Sequence, residues 1–125
     1  MRSPFLTTRY LQQKNNYIAG YLLLKHLLMI RHSVIFKLKH HKGSQEEALF
    51  LEKANALSSI PGIQNFECLK QVSPKNKFDF GISMEFENET LYQQYNNHPD
   101  HVYFVQQYWL KEVEDFLEID YVPYT

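Results

Sequence analysis

Apolar and polar residues alternate from position 30 to 39. Ile30, His32, Val34, Phe36 and Leu38 fall on one side, and Arg31, Ser33, Lys37 and Lys39 on the other. A period of two with one apolar side predicts a strand with one buried face. The polar tract His40-His41-Lys42-Gly43 breaks the pattern. Ser44 and Glu47 then carry the spacing of a capping box at a helix start, and Phe50, Leu51, Ala54 and Leu57 follow at helical intervals. Pro61 cannot continue that helix, and Gly62 turns the chain. A second strand is expected over 66–72 and a turn over 73–77. Phe78, Phe80, Ile82, Met84 and Phe86 alternate with Asp79, Gly81, Ser83 and Glu85, the clearest strand pattern in the chain. Asn88 suits the N-cap of a short helix through Tyr95, ended by Asn96-Asn97. Pro99 suits the first turn of the next helix, where Val102, Val105, Trp109 and Val113 recur on one face. A last strand is expected over 116–121.

The predicted order is β-α-β-β-α-α-β. Four strands with helices at two points predict a ferredoxin-like α+β sandwich built on one four-stranded antiparallel sheet. Helices can cover only one face of such a sheet. The other face would carry Ser33, Ile35 and Lys37 with Asp79, Gly81 and Ser83, a mixed surface suited to water or to a second sheet. Residues 1–28 fit none of this periodicity. Their apolar stretch over 18–30 is about 13 residues long and is broken by Lys25 and His26, whereas a membrane span needs roughly 20 apolar residues. No signal-peptide cleavage pattern follows it. Residues 1–28 are therefore expected to be an extension outside the domain, which runs over 29–125, with Met29 as a second possible start. A short helix packed on the domain, or an oligomer contact, is the alternative.

Composition narrows the function classes. The 125 residues are 44% hydrophobic, 22% charged and 15% aromatic, which is globular and long enough for a core without metals or disulfides. A net charge of -1 gives no basic footprint for nucleic acid. Cys68 is the only cysteine, so an intrachain disulfide and a CxxC site are excluded, and a reducing, cytoplasmic setting fits.

The most suggestive chemistry lies in His98-Pro99-Asp100-His101, with Tyr95 one turn before it and His32 on the apolar face of the first strand. If the helices pack on that face, His32, Tyr95 and one of the two later histidines could converge. A neutral imidazole beside a phenol can remove a proton next to a carbonyl while the phenol holds the oxygen. The plainer reading stands beside it: a histidine before a proline caps the following helix, and a strand histidine among apolar neighbours is a core residue with one satisfied hydrogen bond. His98 and His101 could also ligate a divalent ion, but there is no cysteine partner and no HExxH pattern, so no metal is expected. No phosphate loop or GxSxG elbow is present, and no cofactor is expected.

In order, Met29-Ile-Arg-His32-Ser-Val-Ile-Phe-Lys-Leu-Lys39, the Ile60-Pro61-Gly62-Ile63 helix end, the strand over 78–86, Tyr95, His98-Pro99-Asp100-His101 and Asp120-Tyr121 resemble the stress-responsive A/B barrel domain (Dabb) family. The resemblance covers about residues 29–124. It implies a homodimer in which two four-stranded sheets face each other as a dimeric α+β barrel, with the helices outside. It also implies a small-molecule pocket between sheet and helices, lined by His32, Phe80, Tyr95, His98 and His101, for a small apolar or carbonyl-containing ligand. Most members have no assigned reaction. In a plant polyketide cyclase of the family, which works without a cofactor, a pocket histidine matches His32, a pocket tyrosine matches Tyr95 and the catalytic histidine matches His101. A further pocket histidine there falls at Phe80, which makes this pocket more apolar. Three readings follow: a domain of unassigned role that binds or assembles without catalysis; a cyclase- or lyase-type enzyme with His101 as general base beside Tyr95; and a monooxygenase-like dimeric barrel.

Overall fold

The computed structural model describes residues 4–124. In chain order the elements are α1 (Pro4–Leu28), β1 (Ile30–Leu38), α2 (Gln45–Asn55), β2 (Gln64–Lys70), β3 (Phe80–Phe86), α3 (Glu89–Asn97), α4 (Pro99–Phe104), α5 (Leu110–Glu112) and β4 (Val113–Tyr121). A 3-10 turn, Ala56–Ser59, follows α2, and a π-helical turn, Val105–Trp109, joins α4 to α5. The four strands form one antiparallel sheet in the order β2-β3-β1-β4, the ferredoxin-like arrangement.

β1 sits at the centre and its alternation is realised in full. Ile30, His32, Val34, Phe36 and Leu38 are buried, and the residues between them are not. The register carries that face to its neighbours: His32 lies opposite Met84, Val34 opposite Ile82 and Phe36 opposite Phe80. The helices pack on this side only. Phe36, Phe50, Phe86 and Met84 form the closed centre of the core, with Phe36 and Phe50 ring centroids 5.8 Å apart. Fully burying a side chain of this size stabilises the fold by about 1.5–3 kcal/mol relative to leaving it exposed.

Local chemistry sets the helix boundaries. Ser44 Oγ accepts from the Glu47 N–H at 3.2 Å, and the Glu47 carboxylate reaches back to the Gly43 N–H at 3.1 Å, one residue before the cap. Gly62 takes φ +92°, a left-handed conformation in which a Cβ would also meet the Leu91 side chain at 3.6 Å. Asn88 Oδ1 accepts from the Leu91 N–H at 3.0 Å and starts α3.

Several boundaries differ from those expected. β3 begins at Phe80 rather than 78, and β2 runs over Gln64–Lys70 rather than 66–72, because Gln64 pairs with Glu85 across an irregularity at Asn65, which adopts φ 50°. α3 runs through Asn97, so the break falls at His98. β4 begins at Val113 rather than 116, because pairing with β1 continues past a register shift between Lys37 and Leu38. The expected stripe Val102-Val105-Trp109-Val113 is therefore not one helical face. Val102 is 37% exposed and Phe104 is the buried anchor. The π turn adds a residue to the helical repeat and keeps Trp109 directed at Phe36, with ring centroids 5.0 Å apart.

Among the residues of α1 whose burial is described, all but the half-buried Lys25 are exposed, and none belongs to the buried core. Lys25 pairs with Glu87 at 2.6 Å. No helix among the described residues is long and apolar enough to cross a membrane.

The core has a direct test. Replacing Phe36 by Ala is expected to lower unfolding stability by about 3–5 kcal/mol, through lost transfer energy and an unfilled cavity. Urea denaturation should show a lower midpoint with an unchanged slope.

Candidate functional site: a cavity between sheet and helices

Between the inward sheet face and the helices lies a cavity of about 290 Å³. Its sheet wall is mainly apolar, with Val34, Ile82 and Met84 around His32. Phe104 and Trp109 close it from the helical side, and Phe116 and Glu118 of β4 stand at its rim. Phe116, about half exposed, meets Trp109 edge-on with ring centroids 5.5 Å apart. Most of the wall can hold only an apolar or aromatic body. The polar groups that meet it are His32, Tyr95, Asn96, His101 and Glu118.

Each polar group has a structural reason to be there. Tyr92 and Tyr95 are three residues apart on α3, so both face the sheet and both are buried. Burial drives the Tyr95 phenol well above its ordinary pKa of 10, with the Glu118 charge adding to the effect, so it remains an O–H group. His101 lies in the first turns of α4 and stacks on Tyr95 at 4.3 Å between ring centroids. Its Nδ1 donates to the Asn96 carbonyl at 3.1 Å, which leaves Nε2 as the nitrogen carrying the lone pair. Burial lowers the His101 pKa below 6.5, opposed by that backbone bond, so the ring is neutral at pH 7.

His32 carries the tightest polar cluster. Its Nδ1 lies 2.6 Å from Asp120 Oδ1 and 2.9 Å from the Tyr92 hydroxyl, while that hydroxyl donates to Asp120 Oδ2 at 2.8 Å. Burial, and then the bond to Asp120, hold the Tyr92 phenol far above its ordinary range. Glu118 Oε1 is 3.7 Å from the same Nδ1. His32, Glu118 and Asp120 therefore meet the residue types of a cation site. The 2.6 Å separation is a hydrogen-bond distance, however. Two donors on one tetrahedral zinc stand roughly 3.3 Å apart. As arranged, the cluster holds a proton.

Of the residues singled out from sequence, His32, Tyr95 and His101 come together along this cavity. Phe80 and His98, expected at the pocket, lie outside it. Phe80 sits opposite Phe36, one inward position beyond Ile82, and packs on that ring at 5.7 Å. His98 caps α4: its Nδ1 accepts from the Asp100 N–H at 3.1 Å, and Pro99 follows at the first helical position. Tyr92, Asp120, Glu118 and Trp109 were not anticipated as site residues. Tyr92 had a signal, its three-residue spacing from Tyr95. Asp120 had a weaker one: a carboxylate on the inward side of a strand whose register only the folded sheet supplies.

The family model for the stress responsive A/B barrel domain matches residues 30–123. A Dabb family protein with a ferredoxin-like fold from Mesorhizobium loti is 55% identical, with a TM-score of 0.77 over 78% of this chain and 98% of that one. A dimeric ferredoxin-like protein of unknown function from Bacteroides fragilis is 22% identical, with a TM-score of 0.61 over 76% and 96%. The hydroxynitrile lyase of Passiflora edulis, 13% identical with a TM-score of 0.69 over 78% and 94%, shares the fold. No curated protein matches the chain.

The lowered His101 pKa has a consequence for stability. The unfolded chain takes up this proton at higher pH than the fold does, so the contribution is present above about 6.5 and is lost as pH falls from there toward the lower folded value. Urea midpoints measured from pH 8 to 5 should decline below pH 6.5, and less steeply in His101→Gln.

Proposed function

The chain belongs to the stress-responsive A/B barrel domain family, and on that footing we propose that it is a homodimer whose cavity binds a small, largely apolar carbonyl compound and moves a proton on it without a cofactor. One observation carries this reading. Tyr95 and His101 meet at the wall of an apolar cavity, the phenol kept protonated and the imidazole kept neutral with its Nδ1 occupied by the Asn96 carbonyl. Nε2 of His101 is the general base that removes a proton beside the carbonyl. The Tyr95 hydroxyl donates to the carbonyl oxygen, where negative charge develops. The apolar wall around the reacting atoms strengthens both interactions by excluding water. A general base in such a position contributes about 100- to 10,000-fold in rate.

The dimer is supported by the other side of the sheet. Ile35, Leu69, Leu117, Ile119 and Tyr121 share the face that no helix covers, and Leu69, Leu117 and Tyr121 are each about half exposed. These apolar side chains, set among Ser33, Lys37 and the Arg31–Glu85 pair on the same face, favour a partner. The Bacteroides fragilis neighbour, described as dimeric, has the same fold.

Two measurements decide these points. Deuterium uptake at the α-carbon of phenylacetone in D2O, followed by proton NMR, should be accelerated by the protein, fall by roughly 100-fold or more in His101→Ala and fall less in Tyr95→Phe. Full exchange in a folded His101→Ala sinks the assignment of the base. Saturable binding of the ketone without exchange leaves a binding module rather than an enzyme. Light scattering should give a dimer for the native chain and a monomer for Leu117→Lys, and a native monomer at micromolar concentration removes the barrel.

A further inference from the structure

Tyrosine hydroxyls aside, His32 is the one buried polar side chain among the described residues, and it is 6% exposed. The protons around it can be assigned without conflict. A carboxylate only accepts, so Asp120 Oδ1 at 2.6 Å takes the hydrogen of His32 Nδ1. The Tyr92 hydroxyl has one hydrogen, and it goes to Asp120 Oδ2 at 2.8 Å. Its oxygen then lies 2.9 Å from Nδ1 as a second acceptor of the same N–H. Both carboxylate oxygens are used, and no buried side-chain polar atom among the described residues is left without a partner. In the uncharged ring, a proton on Nδ1 leaves Nε2 as the lone-pair nitrogen, and this ring lines the cavity. Tyr95 neighbours both imidazoles, its ring centroid 6.2 Å from that of His32 and 4.3 Å from that of His101.

We propose that Asp120 and Tyr92 are positioning residues that lock His32 as its Nδ1–H tautomer, so that its Nε2 is a second proton acceptor at the cavity that Tyr95 and His101 also line. The proposal rests on the proton-transfer reading above for its chemical use, and on hydrogen-bond geometry alone for the tautomer. The two imidazoles are fixed by different acceptors, a carboxylate for His32 and a peptide carbonyl for His101. The arrangement gives a carbonyl ligand held by the Tyr95 hydroxyl two basic nitrogens in the same cavity. The ligand class that uses both is a ketone with acidic C–H groups, or a hydroxyl, on either side of the oxygen held by Tyr95. His32 and His101 then accept from the two flanks, and a proton leaves one flank as an enolate forms.

The tautomer can be read without any activity. A two-bond proton–nitrogen NMR spectrum of the full chain, labelled with 15N, distinguishes the protonated from the lone-pair nitrogen in each neutral ring at pH 7.5. The expected result is a single Nδ1–H form for His32 in the native protein. Asp120→Ala removes the acceptor that selects this form and should give a mixture with the Nε2–H form, the tautomer that free imidazole side chains prefer in water. Tyr92→Phe keeps the carboxylate and should retain the Nδ1–H form with a shifted Nδ1 resonance. A native Nε2–H form, or a spectrum unchanged in Asp120→Ala, overturns the proposal. So does stoichiometric retention of Zn2+ on titration with the metal alone, because a bound ion would displace the Nδ1 proton. In the phenylacetone exchange assay, Asp120→Ala should lower kcat by roughly tenfold with little change in KM. Absence of exchange in the native protein would remove the proton-transfer reading and leave the tautomer result standing. A wrong tautomer with normal His101-dependent exchange would do the reverse.

Discussion

A histidine on the buried face of a central strand must have its polar nitrogens accounted for, and the polar side of this domain is organised around that constraint. His32 occupies an inward position between Ile30 and Val34, where Val, Ile or Phe would pack without further requirement. An unpaired imidazole N–H there would cost about 1–3 kcal/mol. The partner comes from β4, whose antiparallel register sets Asp120 opposite His32. The carboxylate, itself 38% exposed, takes a second donor from α3, the Tyr92 hydroxyl. One buried ring thus ties together β1, β4 and α3 through side chains 60 and 88 residues apart in sequence.

The cavity follows from the same arrangement. Sheet and helices close tightly at one end, where Phe36, Phe50 and Trp109 interlock, and less tightly around the polar cluster. The π turn at Val105–Trp109 widens the helix beside this space while holding Trp109 against the core. Tyr95 and His101 come from helices separated only by the His98-Pro99 junction. The cap at His98 therefore serves the site indirectly: by starting α4 at a fixed angle, it sets His101 on the Tyr95 ring. A residue that looks functional by type acts here on the backbone.

Much of the domain was legible along the chain. The order of elements, the buried side of β1, the caps at Ser44 and Asn88 and the turn at Gly62 depend on contacts within a few residues, so local periodicity and capping chemistry reveal them. A meeting of His32 and Tyr95 with one of the two later histidines was also anticipated, because the helices had to pack on the apolar face of β1; that the histidine is His101 came from the fold. Boundaries failed where tertiary pairing overrode local pattern. β4 extends back to Val113 because β1 offers it partners, and the apolar recurrence through Val113 belongs partly to a strand and partly to a π turn.

The sequence by itself determined an antiparallel α+β sheet covered on one face, and the histidines and tyrosine that could reach its interior. These are consequences of side-chain alternation and of local capping, both written in nearest neighbours. Only the tertiary structure decided which polar groups act together. Phe80 and His98 are the right residue types in plausible places, yet one packs into the aromatic core and the other caps a helix. Asp120 and Tyr92 carried little signal, yet they hold His32. The reason is register: a shift of one residue between β1 and β4 would turn Asp120 to the opposite face of the sheet, and no local pattern specifies that pairing.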